Sequence, residues 1–136
     1  MYDAVFPYVL GVFMAWITWF PARYLDAATE RRFFTTIITI VALGFIGFPV
    51  QQGDLAALAL EAALATILLI LVLLSRKESL VLLLPIAWFL HGAWDLVFLL
   101  GLVPVDKPLW VVQLCVPYDW LLAGYLFRRI RVWQSD

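Results

Sequence analysis

Trp88-Phe89-Leu90-His91-Gly92-Ala93-Trp94-Asp95 decides how this chain is read, together with its echo Cys115-Val116-Pro117-Tyr118-Asp119-Trp120. Both stretches lie inside apolar runs of roughly twenty residues, the length at which a helix crosses a bilayer core of about 30 Å. Each puts ionisable groups where hydrocarbon is expected. A carboxylate at that depth costs about 2.5 kcal/mol or more to insert, so it is rarely kept there without a partner or a role.

The composition around these stretches agrees. Of 136 residues, 65% are hydrophobic and 14% charged, and the mean hydropathy is +0.99. A soluble domain has about 45–50% apolar and about 25% charged residues. The net charge of −1 offers no electrostatic footprint for nucleic acid, which is excluded as a partner. Cys115 is the one cysteine. It can form no intramolecular disulfide and cannot build a cysteine-based zinc site. Met1-Tyr2-Asp3 lacks the basic opening of a secretory signal, so the first apolar run is expected to be retained. There is no Gly-rich phosphate loop and no dinucleotide fingerprint.

Working outward, hydropathy gives an all-α, polytopic membrane protein, a five-transmembrane-helix bundle in one domain (1–136). The spans are expected at about Ala4–Ala22, Phe33–Val50, Asp54–Leu74, Leu80–Leu102 and Leu109–Phe127. A polar loop covers Arg23–Arg32, and Pro49, Gln51, Gln52 and Gly53 make a tight turn. Thr35, Thr36 and Thr39 can bond back to their own helix carbonyls and do not mark a site. The third span is rich in alanine, and small residues allow close helix approach, so it is expected at the centre of the bundle. Arg128, Arg129 and Arg131 are expected to stop the last helix.

The basic residues set the orientation. Arg23, Arg31, Arg32, Arg76, Lys77, Arg128, Arg129 and Arg131 fall on one side, and of the nine basic residues only Lys107 falls on the other. The positive-inside rule then places the N-terminus outside and the C-terminus in the cytoplasm. With 1.5 Å of rise per residue, Asp95 and Glu61 lie ~10 Å, and His91 and Asp119 ~15 Å, from the outer ends of their helices. Ser75, Ser79 and Ser135 lie at the cytoplasmic ends, away from His91, which argues against serine-nucleophile catalysis.

Helical phase groups the same residues. Trp88, His91 and Asp95 share one face of their helix, and Cys115, Tyr118, Asp119 and Leu122 share one face of theirs. Pro85 and Pro117 leave the carbonyls of Val81 and Gln113 without their helical donors, and Gly92 removes a side chain beside His91. Each residue also has a plain structural use. His91 with Asp95, and Asp119, can simply tie helices together, Glu61 can be a hydrogen-bonded carboxylic acid, and Cys115 can be inert packing. Together they form a candidate site: His91, Asp95, Glu61 and Asp119 as acid–base groups, with Trp88, Trp94, Tyr118, Trp120 and Cys115 as substrate-facing walls. His91 and Asp95 are the expected acid–base pair. No cofactor is expected, although Glu61, His91, Asp95 and Asp119 could suit a divalent ion.

Proton transfer on a lipophilic small molecule (isomerisation, cyclisation or hydration) is the chemistry these groups suit. The alternatives are a lipid-, quinone- or pigment-binding subunit of a larger membrane complex, and a proton-linked carrier working as a homo-oligomer. The segment Pro85–Tyr125 resembles a family of small bacterial integral membrane proteins. These pair a His-x-x-Trp-Asp motif, here His91–Asp95, with a Cys-x-x-Tyr-Asp motif, here Cys115–Asp119, across a turn holding Pro104, Pro108 and Trp110. The resemblance implies a bacterial inner (plasma) membrane location and brings no established activity. A looser likeness is to membrane isomerases and cyclases of the emopamil-binding type, but this chain lacks the Trp-Glu pair associated with them.

Overall fold

The computed structural model describes residues 2–103 and 107–135. Their helices are α1 (Tyr2–Ala22), α2 (Ala27–Phe45), α3 (Gly47–Gln52), α4 (Leu55–Leu74), α5 (Leu83–Leu99) and α6 (Leu109–Trp133). A single 3₁₀ turn at Glu78–Leu80 precedes α5, and no strand occurs among the described residues. The short α3 extends the passage of α2, and the 3₁₀ turn extends that of α5. Five stretches are therefore long and apolar enough to cross a membrane: Val5–Ala22, Ala27–Gln52, Leu55–Leu74, Glu78–Leu99 and Leu109–Trp133. Of the expected α5–α6 turn, Pro104, Val105 and Asp106 lie outside the described residues.

Two helix ends differ from the hydropathy reading. The second helix begins at Ala27 rather than Phe33, inside the expected polar loop. Asp26 caps it by accepting from the Thr29 amide at 2.9 Å, and hydrogen bonding from Thr29 holds the Asp26 carboxyl below the usual carboxylate range. Glu30 belongs to the helix because the fold supplies partners for it, which hydropathy cannot register. The last helix runs through Arg128, Arg129 and Arg131 to Trp133. Arginine is a good helix former, so charge alone does not end a helix that has packing partners. The expected turn is largely helix: Pro49, Gln51 and Gln52 belong to α3, and only Gly53, at φ 69°, turns the chain after it. Thr36 and Thr39 donate to the carbonyls of Arg32 and Thr35, each at 2.8 Å.

The centre of the bundle is the α5–α6 pair, not the alanine-rich third span. Only 22% of the apolar stretch of α4 is buried, against 44% for α5 and 39% for α6. Alanine permits close approach but offers little side chain to bury, and the bulkier Ile67, Ile70 and Leu73 of α4 point outward. Two glycines decide which helices lie against α6. A Cβ at Gly11 would stand 2.1 Å from the Leu114 carbonyl oxygen and 2.9 Å from Pro117 Cγ. Only glycine therefore lets α1 seat against the proline of α6. A Cβ at Gly92 would stand 2.7 Å from Trp120 Cδ1 and 3.0 Å from Asp119 Cβ. That approach sets the spacing of α5 and α6 beside His91 and Asp119. Phe34, Ile38, Leu68, Leu84, Trp88, Leu122 and Leu126 fill the core between the two ends of the bundle.

Candidate acid–base site

The α5–α6 approach at Gly92 places His91 against Asp119. The imidazole Nδ1–H donates to Asp119 Oδ2 at 2.6 Å. One helical turn further along α5, Asp95 accepts from the ammonium of Lys107 at 3.2 Å. The same ammonium contacts Glu61 Oε1 at 2.7 Å, and Trp94 Nε1 donates to that oxygen at 3.0 Å. Lys107 also lies over two aromatic faces, 4.6 Å from the centroid of Phe45 and 4.2 Å from that of Phe98. Ring quadrupoles attract a cation and offset part of its lost hydration. All five charged or titratable groups are buried, from 0% exposure at Asp95 and Asp119 to 4% at Lys107.

Glu61, His91, Asp95 and Asp119 are thus brought to one end of the bundle, but their pairing differs from that expected. His91 pairs with Asp119 on the neighbouring helix and not with Asp95 on its own. An i, i+4 spacing puts two side chains on one face without choosing their rotamers, and here the shorter reach runs between helices. Glu61 is taken up by Lys107 and Trp94.

The aromatic residues divide. Trp88 is fully buried between the rings of Phe34 and Tyr118. The Tyr118 hydroxyl lies 3.2 Å from Thr18 Oγ1, which gives its own hydrogen to the Met14 carbonyl, so Tyr118 is the donor. Cys115 is buried one turn before Asp119. Trp120 does not wall the cluster. It stacks on Phe89 at 5.7 Å and donates to the Phe89 carbonyl at 3.3 Å, with 37% of its surface exposed.

Sequence reasoning missed Lys107, counted there only as the lone base of its side. A base entering beside three acids in apolar runs was the available signal, because buried acids need a counter-charge. It also missed a fourth buried carboxylate, Glu30, at the opposite end. Glu30 accepts from Tyr125 Oη, from Arg129 Nε at 3.1 and 2.9 Å, and from Trp133 Nε1 at 2.7 Å. A second nitrogen of Arg129 stands 2.9 Å from Oε2. Nearby, Arg31 donates to the carbonyls of Ser75 and Arg76 at 3.0 and 3.2 Å, closing the C-terminus of α4.

Three buried atoms of the first cluster meet no protein hydrogen-bond partner: His91 Nε2, Asp95 Oδ2 and Asp119 Oδ1. One ligand-type atom from each of His91, Asp95 and Asp119 lies within 4.8 Å of the others. The charges do not close either. Three carboxyls face one lysine and one imidazole, so even an imidazolium leaves the group one positive charge short. Two cavities, of about 500 and 590 Å³, are lined by arginines and by none of these five groups; the second reaches Trp120, next to Asp119. Comparison with protein-family models, curated proteins and solved structures finds no match for this chain.

Proposed function

We propose that this chain is an integral membrane protein that catalyses proton transfer on a lipophilic substrate at His91, Asp119 and Asp95. Its five apolar passages cross the bilayer with the N-terminus outside and the C-terminus in the cytoplasm, which puts this centre in the outer half. The observation that carries the reading is the imidazole of His91, held at Nδ1 by Asp119 and left without a partner at Nε2. A carboxylate that fixes one ring nitrogen leaves the other as an acid or base of defined direction. Asp95 Oδ2 and Asp119 Oδ1 are the groups from which a proton returns. The missing positive charge is supplied by a proton shared within the cluster. Glu61, bound by Lys107 and Trp94, is a fixed counter-charge.

The substrate class follows from access. The cluster is closed to water, and the faces around the bundle are apolar, with Leu60, Ile67, Phe89 and Leu90 exposed. A molecule that dissolves in lipid is the kind that reaches such a centre. Isomerisation, cyclisation and hydration each need a proton added at one carbon and removed at another, or at water. The same excess of acid also supports a second reading, a proton-linked carrier acting as an oligomer.

The test is solvent labelling. Purified full-length protein is incubated with total lipid extract in D₂O, and the lipids are analysed by mass spectrometry. One lipid class should gain deuterium with the wild type and not with His91→Gln or Asp119→Asn. A wild type that labels no lipid, or variants that label as fast, would overturn the enzyme. Unlabelled lipids together with proton-coupled solute flux in proteoliposomes would move the assignment to the carrier.

A further inference from the structure

The groove of about 590 Å³ along α1 and α6 at the arginine end has a divided lining. Arg23 and Arg128 stand at one end of it, both exposed, and no acidic residue lines it. Arg129 borders it as well, but its charge is matched by Glu30. The rest is Trp19, Trp120, Leu121 and the ring of Tyr125, whose hydroxyl is taken up by Glu30, with Gly124 opening the helix surface between them. A Cβ at Gly124 would meet nothing within 4 Å. The two indoles are held in place by stacking, Trp19 on Tyr125 at 5.3 Å and Trp120 on Phe89 at 5.7 Å. Along α6, Trp120 to Arg128 spans ~12 Å at 1.5 Å per residue.

We infer that this groove binds one anionic phospholipid, its phosphate between Arg23 and Arg128 and an acyl chain along Trp19, Trp120 and Leu121. The inference rests on the membrane reading above, in which this end faces the cytoplasm. Basic pockets between helices on that side take anionic lipid headgroups. Arg23 lies over the rings of Phe20 and Tyr24, and among the described residues no ion pair is formed by Arg23 or Arg128, so both guanidinium charges are open to a phosphate. The aromatic wall beyond them has no use for a free phosphate ion and fits a hydrocarbon chain. Trp19 and Trp120 supply the signal by which occupancy is read, in a Trp16→Phe/Trp110→Phe background that removes those two exposed indoles.

The experiment reconstitutes the full chain into phosphatidylcholine vesicles and replaces the lipid stepwise with brominated phosphatidylglycerol or brominated phosphatidylcholine. Bromine quenches tryptophan fluorescence on contact. Quenching in this background should reach its half-point at a mole fraction about thirty-fold lower for the anionic lipid, the scale expected of two cationic side chains. The preference should shrink to about two-fold or less in an Arg23→Gln/Arg128→Gln variant. It should also be lost in Gly124→Leu, which keeps both charges and fills the groove. Equal quenching by both lipids in the parent background would overturn the inference. A preference that survives Gly124→Leu would overturn it too, since surface charge without a groove explains that result. Millimolar inorganic phosphate that abolishes the preference would assign the arginines to a soluble anion instead. A chain that fails to enter vesicles contradicts the membrane reading and takes the groove with it; a chain that enters and shows no preference contradicts the groove alone.

Discussion

Glu30 and Asp119 are both fully buried carboxylates, and they are built in opposite ways. Glu30 receives a phenol, an indole and a guanidinium, the last through two nitrogens. One negative charge meets one positive charge, and both oxygens are used. Asp119 receives a single imidazole nitrogen, keeps an oxygen with no protein partner, and belongs to a group one positive charge short. Leaving a buried polar atom unpaired costs about 1–3 kcal/mol. Burial alone therefore does not separate the two carboxylates; unused bonding capacity and charge balance do.

The largest expected effect is at Glu30. Glu30→Ala should lower the unfolding free energy by about 3 kcal/mol or more, because it removes the buried acceptor that Tyr125, Arg129 and Trp133 share. Denaturant titration in detergent micelles measures it, and a change under about 1 kcal/mol would remove the distinction between the two ends. Lys107→Met comes next, at about 2–3 kcal/mol, since Glu61 and Asp95 then share a dry space with no cation. Adding Glu61→Gln to that variant should recover part of the loss, and a double-mutant cycle without coupling would show that Lys107 is not the counter-charge. Gly92→Ala should cost about 1–2 kcal/mol by pushing Trp120 and Asp119 away from α5. It should also slow deuterium labelling of lipid. Labelling at the wild-type rate would mean that the α5–α6 spacing does not position the dyad.

The five apolar passages were legible in the sequence because a bilayer-length run of Leu, Ile, Val and Phe reads without knowledge of neighbours. That Glu61, His91, Asp95 and Asp119 gather at one end was legible for the same reason, since alternating helix direction and rise per residue fix depth. Their pairing was not. His91 and Asp95 share a helical face, yet His91 turns to Asp119, a choice made by the α5–α6 spacing at Gly92. Lys107 lies beside a turn and reads as a surface charge until the aromatic rings of Phe45 and Phe98 and two carboxylates close around it. Glu30 reads as part of a loop because its partners, Tyr125, Arg129 and Trp133, lie some hundred positions away in the chain. Long-range satisfaction of a polar side chain has no local signature.

The most direct test of Asp119 is the unfolding free energy of Asp119→Asn. The amide oxygen still accepts from His91 Nδ1–H, and the substitution removes one charge from a cluster with too many of that sign. A reactive group held at some cost to the fold should give a variant as stable as the wild type, within about 0.5 kcal/mol, or more stable. A loss of about 3 kcal/mol, the size expected at Glu30, would make the His91–Asp119 pair a structural tie and contradict its role as an acid–base centre.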